Sequence, residues 1–443
     1  MLIFKIYIFL FSLVFTQNTK FKINSVDSNF VFKELNKKLL VEERLSAVYK
    51  LEAFNHYTVE SVFRVINTKK MVDSVIINSK HDIRDNIIKS IFKPYKVTPI
   101  DEKYNTISDE LVSRYYFLKD NPKYQLGLLD SNTLGTLVFF KPIFENHYSG
   151  ILGMSKQRNR WSLNGELNLN LENYFNNIEN IELFWKKIDS TSQVIKLSTS
   201  IPHPFGWNTG VAFNHYYEIF NGLYTSIQNR YQILTFLPYF DNVGIGYMKG
   251  KDIPSNKGIV SGYNEINYIA FSVFSKKDNT NDRLLPNSGT VINLEVDRGI
   301  EDKFDFMNYS ILLKQFYPLS SLFYFKLKFV GKGIKYLEGK IPKSRYFVFG
   351  GASTLRGYDE KSFISTQYQI STFEFCYKPL KEFQSKLFID IASNQLNIIK
   401  NNWIGCGIGL TQITNNSIIK LEYGLSNSSL ENGKLHVQWT SRF

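Results

Sequence analysis

The chain has 443 residues, a formal net charge of +13 and 16% aromatic residues, which is long enough for a large core or more than one domain. With 21% charged residues, a mean hydropathy of −0.20 and no internal apolar run of the ~18 residues a membrane helix needs, it is not a polytopic helical membrane protein. The basic residues are dispersed between strand-like segments rather than clustered, which argues against nucleic acid and for anionic lipid headgroups as their partner.

The first apolar run, 6–15, follows Lys5 and is too short to span a membrane comfortably. It reads as a secretory signal over residues 1–16. No cysteine lies directly after it, which argues against a lipid-anchored N-terminus. Residues 20–71 read as a charged amphipathic helix over 31–51 and a strand over 59–66. A fuller unit follows over 72–143. It opens with a strand at 72–78, and Ile83, Ile87, Ile88 and Ile91 then make one apolar helix face ended by Pro94. Thr98 to Asp101 is a capping-type start with Pro99 in the first turn, and Tyr104, Ile107, Leu111 and Tyr115 form a second buried stripe. Strands at 124–129 and 134–140 close the unit. This order resembles a polypeptide-transport-associated (POTRA) domain, with 20–71 as a degenerate second copy.

From Ser149 onward a two-residue alternation replaces helical periodicity. Phe323, Phe325, Leu327 and Phe329 alternate with Tyr324, Lys326 and Lys328, and Ile292, Leu294 and Val296 with Asn293, Glu295 and Asp297. About sixteen such segments of roughly ten residues begin near Ser149, Leu163, Ile178, Gln193, Trp207, Tyr224, Asn242, Gly262, Gly289, Met307, Phe323, Gln367, Leu387, Trp403, Ile418 and Lys434. Their number, the aromatic load and the N-terminal signal together predict an all-β transmembrane barrel over 144–443, preceded by a small α+β region. A closed barrel is the only sheet that can sit in lipid without unpaired edges.

Several stretches in this half are specific as a set. Asp282 to Gly289 is a turn of the form D-x-x-x-P-x-x-G, fixed by Asp282, Pro286 and Gly289. Between the eleventh and twelfth segments, Gly350 and Gly351 precede Leu355, Arg356, Gly357 and Tyr358, a GGxxxLRGY pattern. The glycines permit a sharp fold, and the permanently charged arginine needs a defined acceptor. Phe388 to Ala392 reads F-x-D-x-A, Gly405 to Leu410 reads GCGIGL, and the chain ends on an alternating strand with Trp439 and Phe443. This set resembles the BamA/TamA-like outer-membrane assembly factors, also called the bacterial surface antigen family.

The resemblance implies a loop folded into the barrel lumen, its arginine meeting acidic residues of the wall, and a terminal phenylalanine that serves as a sorting signal. Glu374 and Asp390 have apolar neighbours on both sides and point by alternation into the lumen, where Arg356 could bind both. Each carboxylate could instead be a wetted lumen residue. Where the family motif, F-x-D-x-G, has its glycine two positions after the aspartate, this chain has Ala392. The implied role is insertion or translocation of proteins at the outer membrane of a Gram-negative-type bacterium, with the N-terminal region in the periplasm. The implied partners are lipid and lipopolysaccharide, unfolded outer-membrane or secreted clients, and periplasmic or lipoprotein subunits. The barrel seam would join 149–156, loosened by Gly150 and Gly153, to 434–443. A two-partner-type transporter for one dedicated client, and a passive surface antigen or pore, are the alternatives.

No G-x-S-x-G, H-E-x-x-H or phosphate-binding glycine loop occurs, and the six histidines lack metal-ligand spacing, so no enzyme activity, metal or cofactor is expected. The two cysteines, Cys376 and Cys406, lie in apolar strand-like runs and are expected to be buried free thiols.

Overall fold

The computed structural model describes residues 20–25, 27–41, 47–67, 71–79, 82–100, 102–118, 120–129, 133–157, 160–189, 191–237, 240–395, 402–426 and 433–442. The signal over 1–16, the capping residue Asp101 and the terminal Phe443 lie outside the described residues. The chain divides into two compact units, one comprising 1–79, 92–110 and 120–140, the other 80–91, 111–119 and 141–443.

In the first unit β1 (Lys20–Asn24), α1 (Ser28–Val41), β2 (Ala47–Asn55) and β3 (Glu60–Asn67) come first, with a sheet in the order β1-β3-β2. The helix expected over 31–51 therefore stops at Val41. Tyr49, Leu51 and Ala53 alternate with Lys50 and Glu52 and so also fit a strand, and pairing with β3 decides for it. Along the chain follow β4 (Ser74–Ile77), α2 (Asp85–Ile91), which falls in the second unit, α3 (Lys93–Val97), α4 (Glu102–Arg114), whose last turn also falls there, β5 (Lys123–Leu128) and β6 (Leu134–Phe139). Pro94 opens α3 rather than merely ending α2, since a first turn does not use its missing N–H. Strand β6 lies between β4, which it pairs in parallel, and β5, which it pairs antiparallel. Tyr104 Oη sits 2.6 Å from Thr136 Oγ1 on β6, and Tyr95 Oη 2.6 Å from Ser108 Oγ, so the buried tyrosines of this unit have polar partners.

The second unit is a closed antiparallel barrel of sixteen strands. They are β7 (His147–Gln157), β8 (Arg160–Glu172), β9 (Asn180–Asp189), β10 (Ser192–Ile201), β11 (Gly210–Phe220), β12 (Tyr224–Leu237), β13 (Phe240–Pro254), β14 (Ile266–Asp278), β15 (Gly289–Glu301), β16 (Phe304–Pro318) and β17 (Phe323–Tyr336). After a long connection come β20 (Gln367–Leu380), β21 (Phe383–Ser393), β22 (Trp403–Ile413), β23 (Ser417–Leu425) and β24 (Lys434–Arg442). Each segment read from alternation corresponds to one strand. The eighth starts at Ile266 rather than Gly262, because a short helix, α5 (Asn256–Val260), occupies the preceding connection.

Alternation sorts the two faces by solvent. Phe271 and Val273 face outward, 69% and 61% exposed, while Glu374 and Asp390 face the lumen at 3% and 0%. An outward row of this kind suits lipid, and an inward polar row suits a wet or loop-filled interior. Cys376 faces inward and is buried, but Cys406 is exposed. The expectation that both thiols are buried is corrected for Cys406: on β22 the inward positions belong to Gly405, Gly407 and Gly409, which leaves the residues between them outside. A barrel closed in this way should resist detergent until boiled, so unheated and heated samples should migrate differently in gel electrophoresis. Identical migration would contradict the closed barrel.

Candidate functional site

Between β17 and β20 the chain enters the lumen. Two short strands, β18 (Phe347–Phe349) and β19 (Phe363–Ser365), pair antiparallel as a stem. The stem is anchored by aromatic packing: Phe349 stacks on Tyr368 of β20 with centroids 4.7 Å apart, and Phe363 lies 4.5 Å from Trp403 of β22. Beyond the stem, Gly350 and Gly351 take φ of 118° and 93°, values that suit glycine. The Gly350 N–H donates to Thr354 Oγ1 at 2.8 Å and the Gly351 N–H to the Leu355 carbonyl at 3.1 Å, closing the tip. Leu355 is fully buried, and the next residue is Arg356.

The guanidinium of Arg356 makes a bidentate contact with Asp390, Nε to Oδ2 and Nη2 to Oδ1, both at 2.8 Å. Nη1 donates to Glu374 Oε1 at 2.9 Å and, more weakly, to Glu422 Oε1 at 3.5 Å. The guanidinium carbon also lies 3.5 Å from the centroid of the Phe388 ring, a cation–π contact. Thr372 donates to Asp390 at 2.8 Å, Lys326 Nζ to Glu374 at 2.8 Å, and Lys386 contacts both Glu374 and Glu422. Three carboxylates thus face three cations. Burying any one of these charges alone would cost several kcal/mol, and their mutual pairing and hydrogen bonds offset that cost.

The loop can reach this position because glycines leave room for its backbone. A Cβ on Gly405 would lie 2.0 Å from the Arg356 carbonyl oxygen, and one on Gly424 would lie 2.8 Å from the Gly357 nitrogen. The glycines of β22 and β23 are therefore a seat for the arginine's own peptide units. Gly357 has φ of 91°, and Tyr358 Oη donates to the Ile404 carbonyl at 3.1 Å. Ala392 is buried against Phe349, Leu355 and Tyr368 and takes the place of glycine without a gap.

Two further loop cations carry no sequence motif. Arg345 Nε lies 3.3 Å from Glu301 Oε2, and its guanidinium carbon is 3.8 Å from the Tyr268 ring centroid, on strands β15 and β14. Lys361 Nζ donates to Glu218 of β11 at 2.7 Å. The loop is held to the wall at both ends and in its middle. A basic residue inside a connection without alternation gives no spacing signal, and only the inward position of Glu301 and Glu218 could have hinted at partners.

The turn after β14 is shaped by its motif. Asp282 Oδ1 accepts from the Leu284 and Leu285 N–H groups at 2.8 and 2.9 Å, and Gly289 has φ of 104° where a Cβ would meet Asn279 O at 2.5 Å. Arg283 reaches Glu172 at the end of β8, and Lys378 of β20 donates to the Leu285 carbonyl, so the turn extends across the barrel mouth. Leu285 and Pro286 then line one end of a lumen cavity of about 880 Å³ whose other end is lined by Ala352 and Glu360 of the loop.

This cavity also reaches the seam, where Ser149, Val437 and Trp439 line it. There β24 pairs β7 only through Ser441 with Tyr148 and Arg442 with His147, among the described residues. On its other side β24 pairs β23 from Ser417↔Ser441 through Gly424↔Lys434. The base of the seam is fastened by Arg442, whose Nη2 and Nε both donate to Glu145 Oε2, at 2.6 and 3.2 Å. Trp439, half exposed, lies above this fastening.

Comparison with known proteins places these features. The Omp85 superfamily domain matches residues 123–440. CdiB from Acinetobacter baumannii has a similar structure, with a TM-score of 0.59 and 11% identity over 94% of this chain and 81% of that one. BamA from Haemophilus ducreyi lacking POTRA domains 1–3 gives a TM-score of 0.54 and 13% identity over 95% of this chain and 94% of that one. CdiB from Escherichia coli is also similar, with a TM-score of 0.56 and 11% identity over 94% of this chain and 83% of that one. No curated protein matches the sequence.

Replacing Arg356 with alanine should leave a barrel that still shows heat-dependent migration but a loop whose tip, carrying a reporter cysteine at Ala352, reacts faster with a soluble thiol reagent. Its stability cost should fall below the about 3–5 kcal/mol of a fully buried broken pair, because lumen water can solvate the stranded carboxylates. Arg356→Lys should restore slow labelling only partly, since an ammonium cannot reproduce the fork to Asp390. Gly405→Val should loosen the tip with every charge intact. Equal labelling rates in all four proteins would show that the loop is held by something else.

Proposed function

The chain belongs to the Omp85 superfamily and is an outer-membrane barrel, and from that premise we propose that it assists the insertion or translocation of proteins at the outer membrane through its seam. The observation that carries this reading is the β7–β24 junction, joined by Tyr148–Ser441 and His147–Arg442 at its base while the lumen cavity reaches the strands above. Strands without neighbours present rows of unpaired N–H and C=O groups, which is the template for adding another strand. A client strand could pair there with little existing pairing to displace.

In this reading the N-terminal unit lies in the periplasm and receives client segments by edge addition, for which β4 and β5 are the outer strands of its second sheet. The loop bearing Arg356 fills the lumen, so the barrel is kept from acting as an open pore while the seam stays free to move. Residues 282–289 complete the closure at the other mouth. The role is one of binding and guiding rather than catalysis. Lipid and lipopolysaccharide surround the barrel, and periplasmic or lipoprotein subunits would act at the N-terminal unit.

The seam can be locked directly. Tyr148→Cys with Ser441→Cys, in a chain with Cys406→Ser, places two thiols at facing register positions compatible with a disulfide. Under oxidising conditions this variant should lose function and regain it on reduction, while either single cysteine remains active. Full activity of the oxidised form would remove the seam from the mechanism. Depletion of the wild-type chain should lower several outer-membrane barrels together. Loss of one exported protein alone would identify a dedicated secretion partner, and no change in either would leave a passive antigen or pore.

A further inference from the structure

We propose that the lumen carries an anion site at Lys314 and Lys328 that takes a phosphate group. The register of β16 with β17 sets these two lysines directly opposite one another. Facing residues of an antiparallel pair point to the same side, with Cβ atoms about 4.5–5.5 Å apart, and like charges so placed repel. Both belong to the inward row that includes Lys326 and Tyr324.

Several other inward cations have a carboxylate. Lys326 has Glu374 at 2.8 Å, Lys361 has Glu218 at 2.7 Å, and Arg356 and Lys386 share the three acids of the loop site. On the facing wall Arg230 has Asp297 at 3.1 Å and Lys186 has Glu166 at 3.2 Å. Among the described residues Lys314 and Lys328 have no carboxylate within 4.0 Å, and neither has Lys420 of β23. Lys314 and Lys420 both line the 880 Å³ cavity. Among the described residues Lys196 and Lys332, elsewhere on the inward face, also lack a carboxylate, but neither lines this space; the lysines that line it without a carboxylate are Lys314 and Lys420, with Lys328 directly beside Lys314.

An ammonium binds phosphate as a compact point charge with three donors, and two or three of them match a group carrying two negative charges and several acceptor oxygens. Leu285 and Pro286 line the cavity toward one mouth, and Val437 and Trp439 line it at the seam. The phosphate could therefore belong to a small solute in the lumen or to a lipid headgroup entering through the seam while its acyl chains stay in the bilayer. This site does not depend on the proposed client function and can fail or stand separately from it.

The test uses the full-length protein in neutral detergent micelles at constant ionic strength, with thermal unfolding followed as sodium pyrophosphate replaces chloride. Wild-type protein should be stabilised, and Lys314→Gln with Lys328→Gln should weaken the apparent affinity at least about tenfold. Lys335→Gln, on the outward row opposite Met307, should leave it unchanged. Lys328→Glu should pair with Lys314, so this variant should be at least as stable as wild type without anion and gain nothing from pyrophosphate. Stabilisation in neutral micelles identifies a soluble phosphate. Stabilisation that appears only when the micelles contain phosphatidylglycerol identifies a lipid headgroup. No stabilisation by either probe would overturn the site, as would an equal effect in the double variant or an equal response to polyglutamate. Should the double variant fail to fold, the Lys328→Glu result decides.

Discussion

A guanidinium cannot give up its proton, so once Arg356 is inside the barrel the wall must meet it with negative charge. Much of the C-terminal half serves that requirement. Asp390 supplies the two-oxygen face, Glu374 and Glu422 the remaining acceptors, and Lys326 and Lys386 keep those glutamates from being an excess of negative charge. The glycines at 405 and 424 follow from the same constraint, because the arginine reaches the acids only if its peptide units touch the wall. Charge, backbone space and the aromatic stem act together, and removing one exposes the others.

The seam shows the opposite economy. Elsewhere in the barrel neighbouring strands pair through eight or more residues, but among the described residues the ladder between β7 and β24 is confined to the base, beside the Arg442–Glu145 contact. Strongly fastened loop and weakly fastened seam sit in the same ring. A barrel whose lumen is filled by a well-anchored loop can keep its shape while one junction remains open to exchange.

The barrel was legible because lipid outside and a polar interior impose strict alternation, as in Phe323–Phe329, and because each strand had to be long enough to cross. Arg356, Glu374 and Asp390 could be singled out for a related reason, namely charges flanked by apolar or glycine residues. Glu422 and Lys386 stood in readable inward positions, but nothing in a linear sequence shows that they converge on one arginine. Arg345 and Lys361 were invisible, since a connection without alternation gives no face. In the N-terminal unit the stretch after Val41 fits both periodicities, and the partner strand β3, distant in sequence information though near in the chain, decides the outcome. Cys406 shows how an apolar run misleads when the apolar face is the outer one.

The sequence separations of these contacts have a consequence for biogenesis. Arg356 finds its carboxylates 18, 34 and 66 residues away, all later in the chain, whereas Arg442 meets Glu145 across 297 residues. Contacts between nearby segments form at lower entropic cost than those that close most of the chain into a ring. The C-terminal strands can therefore fold around their loop first, and the ring then closes on a lumen that is already occupied. The loop is in that sense an internal template for the barrel's curvature, present before there is a barrel for it to fill.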